Sequence, residues 1–428
     1  TRYIGDWSSD VCSSDLGGAK LKGKIKISGA KNSALPLMAC SLLLSKGELK
    51  LDSMPNLADT RFMSILLSSL GMKSRIENNI AYISGEPKTY IAEYDIVRKM
   101  RASILVLGPL LAKYRIAKVS LPGGCSIGTR PVDLHINAFE KMGASILLKD
   151  GYIEAKAPNK GLYGADISFP KISVGATENV IMAASLANGR TRILNAAKEP
   201  EIIDLANCLI RMGASIKGAG SSEIIIDGVK ELEGCNHKVI PDRIEAGSFA
   251  IAAAITKSSL ELCNCEPKHL KSLSKKLINA GVNWESDKDI IKITSDGILK
   301  PVNVQTSEYP DFPTDLQAQF MTLMTVANGN SEIIENIFEN RFMHVPELLR
   351  MGANISVNGG VAKVSGVQNL KGAQIMATDL RASISLIIAA LRAEGESYIS
   401  RIYHLDRGYE QIEQKFQDCG ANIERITN

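Results

Sequence analysis

The chain has 428 residues, 45% of them hydrophobic and 22% charged, with a formal net charge of +4. That length suits two or three domains with full cores, and the composition excludes global disorder. Basic residues are scattered, no apolar run reaches bilayer length, and no basic start leads into an apolar core; neither a nucleic-acid partner nor a membrane is expected.

In chain order, the opening "TRYIGDWSSDVCSSDL" differs in character from everything after it. It is read as a non-native stretch, similar to a translated sequencing adapter, standing in place of the true start. Fold reasoning therefore begins near Gly17. From there one pattern recurs six times: a helical run ends at a glycine and a β-like run follows. The glycines are Gly71, Gly143, Gly213, Gly281, Gly352 and Gly420, spaced 68 to 72 residues apart. Glycine just past a helix fits a left-handed C-cap. Each unit reads strand–helix–strand–helix–strand–strand, the alternation of sheets covered by helices. Six units of this length divide as three plus three, with a boundary near "CNHKVIPDRIEAG" (235–247). The sixth unit stops without a hairpin partner. A strand from before "KLKGKIKISGAKN" would supply it, although the non-native opening puts that pairing in question here.

Two sets of loops recur at predicted helix starts. One set contains "SGAKNSALP", "KMRASILV", "SVGATENV", "RIEAGSFA", "FPTDLQAQ" and "DLRASISL"; the other includes "GGCSIGTRPVD", "NAAKEPE", "ENIFENR" and "YHLDRGYE". Helix starts offer free N–H groups and a positive dipole end to anions. Lys31, Arg101, Arg130, Arg341, Arg381 and Arg407 stand at such places. Each alone reads as a solvated charge; together they read as a polyanion site. Pro131 suits a first helical position, and Val132, Ile136 and Phe139 form an apolar stripe after it. Cys125 sits in a glycine-flanked loop before this helix, where nearby cations lower a thiol pKa and favour reactivity over packing. Asp315, at another helix start, reads either as a cap or as a base that engages a substrate hydroxyl.

Eight cysteines without a C-x-x-C pair do not form a disulfide framework, and a reducing cytoplasm is the simplest setting. Cys263, Cys265 and His269 in "CNCEPKH" lack a standard zinc spacing and read as an ordinary strand end and loop. No metal site is expected.

"ISGAKNSALP", "KMRAS", "VSLPGGCSIGTRPVDLH", "ISVGATENV", "NAAKEPEI", "FPTDLQAQF", "FENRFMHVPEL", "ATDLRAS" and "RIYHLDRGYE", in this order, closely resemble the UDP-N-acetylglucosamine enolpyruvyl transferases. The resemblance runs from about Gly17 to the C-terminus. It implies a two-lobed, inside-out α/β barrel fold with three repeats per lobe. Residues 1–31 with 241–428 would form the C-terminal lobe and 32–240 the N-terminal lobe carrying the Cys125 lid. It implies transfer of enolpyruvyl from phosphoenolpyruvate to the 3-hydroxyl of UDP-N-acetylglucosamine, with phosphate released and no metal or organic cofactor. Lys31 and Asn32 would hold phosphoenolpyruvate, with Arg130 and Arg407 neutralising its charges. Arg101, the stretch Arg130, Pro131, Val132, Asp133 and Leu134, the stretch Lys171, Ile172, Ser173 and Val174, Asp315 and Ile337 would line the sugar-nucleotide site. Arg341 and Arg381 match arginines of the interlobe cleft. Cys125 would protonate the enolpyruvyl methylene and be the target of fosfomycin, and Asp315 would engage the sugar hydroxyl. The rival readings are transfer to shikimate 3-phosphate and a catalytically silent UDP-N-acetylglucosamine-binding paralogue. The cysteine loop disfavours the first; Cys125, Asp315 and Lys31 together disfavour the second.

Overall fold

All six repeat glycines lie in the left-handed region, with φ from 86° at Gly352 to 112° at Gly213, directly after a helix. At Gly71 the amide donates back to the carbonyl of Ser68, which ends the helix Ala58–Leu70 and turns the chain into the strand Lys73–Glu77. The computed structural model describes residues 11–16, 18, 20–121 and 132–427. Cys125, Arg130 and Pro131 therefore lie outside the described residues. The helix expected from Pro131 runs over Asp133–Lys141 with Val132 at its N-cap. Its buried face is His135, Ala138 and Phe139, whereas Ile136 is only half-buried.

The chain packs as two units. Among the described residues, one comprises 28–121 and 132–240, the other those up to Ile27 together with those from Pro241 on. Each has its own hydrophobic core. Each unit contains three four-stranded sheets of one design. In the sheet Ile91–Ala92, Ile116–Ser120, Tyr152–Lys156, Ser145–Lys149, the first pair is parallel and the other two antiparallel. Strands alternate in burial, as in Tyr152–Lys156, so one sheet face meets the core. The helices lie inside. Val174–Ala184 is buried from Ala176 to its end, Gln317–Met324 throughout, and Arg243–Ile255 from Ile244 onward. Such all-round burial is what near-continuously small and apolar helix sequences require.

Two strands come from beyond the ends of the repeats they serve. Lys22–Lys26 pairs in parallel with Ser259–Cys263, and Asn236–Lys238 with Glu48–Asp52. The sixth sheet is also complete. Val11–Leu16 lies between Glu396–Ser400 and Ile423–Thr427, antiparallel to both. The pairing questioned on sequence grounds is thus formed. Ladder bonds are made by backbone groups, so this pairing makes little demand on side-chain identity.

Candidate active site

The six recurrent loops open the core helices of the two units. In 28–240 the starts are at Lys31, at the 3₁₀ turn Arg101–Val106 leading into Leu107–Tyr114, and at Val174. In the other unit they are at Arg243, at the turn Thr314–Leu316 leading into Gln317–Met324, and at Leu380. Ser173, Asp242 and Asp379 cap their helices with side-chain oxygens, each accepting from backbone N–H groups of the first turn.

In the 241–427 unit, Asp315 is clamped. Arg341 Nη2 lies 2.7 Å from its Oδ1 and Arg381 Nη2 2.8 Å from its Oδ2. Both arginines are 5% exposed. They are therefore not free cations facing solvent but partners of a carboxylate. Burial works against the Arg381 charge, but Asp315 outweighs it and holds the guanidinium pKa above its ordinary value. The N-cap positions of the turn and of the helix after it are Pro313 and Leu316, and Asp315 lies between them, inside the turn. Behind it runs a buried network. Arg381 Nη1 donates to the Tyr409 hydroxyl at 3.2 Å, which lies 3.0 Å from Ser248 Oγ, and Gln319 Nε2 donates to Ser248 Oγ and to the Asp315 carbonyl. Glu335 ties the neighbouring loop down, accepting from the Ile337 amide at 2.9 Å and from Thr314 Oγ1 at 2.9 Å. Arg407 ends the 3₁₀ turn Ile402–Arg407, where burial and then its own charge push the pKa of His404 down. His344 is also buried, and burial takes its pKa down to about 4.

In the 28–240 unit, the Lys31 ammonium lies 3.5 Å from the carboxylate of Asp59, in the first turn of the helix Ala58–Leu70. Asn32 is half-buried beside it in sequence, and the next residue, Ser33, donates to the buried Asp204. A second cluster gathers around His135. Asn179 Nδ2 donates to its Nδ1 at 3.0 Å and to the Ile104 carbonyl, while Asn179 Oδ1 accepts from the Gly108 amide at 2.8 Å. The Gly108 contact fixes the amide orientation and makes His135 Nδ1 an acceptor. Burial first and the Arg101 charge second take the His135 pKa down to about 4, so the ring is neutral. The structure thus brings Arg101 close to the helix that follows Val132. Gly175 faces the same imidazole, so the turn after Lys171, Ile172, Ser173 and Val174 belongs to the cluster. Asp133 and Lys171 are exposed; Leu134, Ile172 and Val174 are half-buried against the core. Beside them lies a groove of about 410 Å³ lined by Leu134, Asn137, Lys141, Ile167, Phe169 and Pro170.

Asp59, Asp204, His237, Asn179 and Tyr409 were not singled out from sequence. The first four lie inside a helix or a strand and Tyr409 in the loop after the turn Ile402–Arg407, places where a polar residue looks like any other. The only signal is that a polar group on an otherwise apolar helix face must find a partner. Among the described residues no cluster able to hold a metal ion is found; Cys263 ends a strand, Cys265 lies in the loop after it and His269 in a short 3₁₀ turn. No helix among them is long and apolar enough to cross a membrane.

Comparison with known proteins places these features in a family. The family profile described as EPSP synthase (3-phosphoshikimate 1-carboxyvinyltransferase) matches residues 16–416. Among curated relatives, the UDP-N-acetylglucosamine 1-carboxyvinyltransferase of Rhodospirillum centenum is 54% identical, covering 96% of this chain and 98% of its own. That of Granulibacter bethesdensis is 55% identical with the same coverage. Among solved structures, the enolpyruvyl transferase NikO from Streptomyces tendae superposes with a TM-score of 0.88 at 22% identity, over 98% of this chain and 100% of that one. EPSP synthase from Acinetobacter baumannii gives 0.76 at 18%, over 97% and 100%. The two structures share the fold, while the curated relatives share sequence across nearly the whole length. The chain belongs to the EPSP synthase family of enolpyruvyl transferases and, within it, groups with the UDP-N-acetylglucosamine 1-carboxyvinyltransferases.

Proposed function

We propose that the chain transfers the enolpyruvyl group of phosphoenolpyruvate to the 3-hydroxyl of UDP-N-acetylglucosamine and releases phosphate, as the first committed step of peptidoglycan synthesis in the cytoplasm. The observation that carries this reading is the identity of 54% over 96% of the chain to a relative of that name. The solved EPSP synthase is 18% identical and shares only the architecture.

The chemistry is an addition followed by an elimination. The sugar hydroxyl gives its proton to a base as its oxygen bonds to C2 of phosphoenolpyruvate, the C2–C3 double bond opens and C3 takes a proton from an acid, giving a tetrahedral phospho-ketal. Loss of a C3 proton then expels phosphate and restores the double bond. Cys125 is the proposed donor to C3, and Asp315 the proposed partner of the sugar hydroxyl. Arg341 and Arg381 each hold one Asp315 oxygen, which fixes the carboxylate that would orient that hydroxyl. Lys31, Asn32, Arg130 and Arg407 are the proposed counter-charges for phosphate and carboxylate, stabilising the charge that builds on the departing group. Arg101, residues 130–134 and 171–174 and Ile337 are the proposed nucleotide contacts.

Phosphate release is the test. Purified protein should release phosphate only when phosphoenolpyruvate and UDP-N-acetylglucosamine are both present. Release with shikimate 3-phosphate instead would reassign the acceptor. Sugar-nucleotide binding without any release would mark a silent paralogue.

A further inference from the structure

The Ala30–Ser33 segment is closed into a ring by hydrogen bonds. The Ala30 amide donates to the Ile240 carbonyl at 2.7 Å, the Ile240 amide donates to Asp204 Oδ2 at 3.3 Å, and Ser33 Oγ donates to that same carboxylate oxygen. The fourth member is His237, whose Nε2 lies 2.8 Å from Asp204 Oδ1. Facing an acceptor-only carboxylate, that nitrogen carries the hydrogen. Ser33, Asp204 and His237 are 0%, 4% and 3% exposed. Inside this ring, on its backbone, stand Lys31 and Asn32.

A buried carboxylate is costly unless donors surround it. Asp204 gathers three, each from a different piece of the unit: the helix that starts at Lys31, the strand Asn236–Lys238, and Ile240, the last residue before the chain crosses to the other unit. Asp204 itself projects from the helix Pro200–Arg211. Its bonds therefore fix the start of the Lys31 helix against three elements at once. On the remaining side the Lys31 ammonium is held by Asp59 at 3.5 Å. A site that recognises a small trianion needs its cation and amide placed to within a fraction of an ångström, and such accuracy is supplied by the groups behind the ones that touch the ligand.

We infer that Asp204 and His237 are positioning residues for phosphoenolpyruvate, acting through Ser33 and Ile240 on Lys31 and Asn32. The inference rests on the proposed role of Lys31 and Asn32, and its test separates the two. Steady-state phosphate release by the full chain gives the KM for each substrate and kcat, with a thermal midpoint recorded for every variant. Asp204→Asn and His237→Leu should raise the phosphoenolpyruvate KM about tenfold, as expected for losing a hydrogen bond to a charged group, while the UDP-N-acetylglucosamine KM moves less than about twofold. His237→Gln, which offers an N–H at similar reach, should return the phosphoenolpyruvate KM toward wild type. Ser33→Ala removes one bond and little bulk, so it reports even if Asp204→Asn fails to fold; a rise of about threefold is expected. Equal changes in both KM values, a Gln variant no better than Leu, or an unchanged KM in Ser33→Ala would overturn the inference. Lys31→Ala is the control. If it leaves phosphoenolpyruvate use intact, the site reading itself fails; if it impairs that use while Asp204→Asn and Ser33→Ala are silent, only the positioning role fails.

Discussion

Arg381 Nη2 lies 2.8 Å from Asp315 Oδ2, with the guanidinium also donating to the Tyr409 hydroxyl. Asp315 is thus at once a candidate reacting group and the counter-ion of two buried arginines. Asp315→Ala should therefore cost stability as well as turnover. Breaking a buried ion pair by removing one partner costs about 3 kcal/mol or more, because an uncompensated charge is left behind. Urea unfolding of wild type and variant measures it. A loss under about 1 kcal/mol would show that Arg341 and Arg381 find other partners at once.

Lys31 and Asp59 offer a cleaner measurement, since Asp59 is 2% exposed and Lys31 13% by side chain. Lys31→Ala strands a buried carboxylate and should destabilise more than Lys31→Ala combined with Asp59→Ala does beyond Asp59→Ala alone. A double-mutant cycle read by chemical unfolding should give a coupling of at least about 1 kcal/mol. Additive single effects would place the two groups in independent environments.

His135 sets a pH dependence. Its folded pKa of about 4 lies below the ordinary 6.5, so the unfolded chain binds the proton more readily. The stabilisation is full above about pH 6.5 and is lost as pH falls toward 4, worth up to about 3 kcal/mol from this group. Other carboxyl groups titrate in the same range, so the comparison must be with His135→Gln. The difference in unfolding free energy between the two proteins should shrink as pH is lowered from 7 to about 4.5. A constant difference would mean that the imidazole does not titrate below its ordinary range.

Cys125 can be probed by acidity. Serine is nearly isosteric with cysteine, but its hydroxyl is a far weaker acid. Cys125→Ser should lower phosphate release by at least about a hundredfold, while calorimetry shows UDP-N-acetylglucosamine bound within about twofold of wild type. A fully active serine variant would remove the thiol from the proton-transfer role.

The architecture was legible because it is written in short-range signals. Gly71 and its five counterparts mark helix ends by a backbone conformation other residues adopt at a cost, and their spacing counts the sheets. The pairing of charges was not legible. Arg341 and Arg381 meet Asp315 across 26 and 66 residues, and Asp204 meets Ser33 across 171, distances at which no local pattern fixes a partner. Sequence also left open whether residues 11–16 would pair. Strand pairing there depends on a vacant register between two neighbours, a property of the sheet and not of the strand that fills it.

That sheet also dictates an order of assembly during synthesis. Residues 28–240 contain every strand their unit requires, so this unit can close as soon as it has left the ribosome. The other unit is sewn from both sides. Lys22–Lys26 is made well before Ser259–Cys263 and must wait for it, a delay of roughly ten to fifty seconds at ordinary elongation rates. Val11–Leu16 waits longer still, because one of its two neighbours is Ile423–Thr427. A strand in that slot is seated only once Ile423–Thr427 has been made, and until then its backbone donors and acceptors lack the ladder partners they will have.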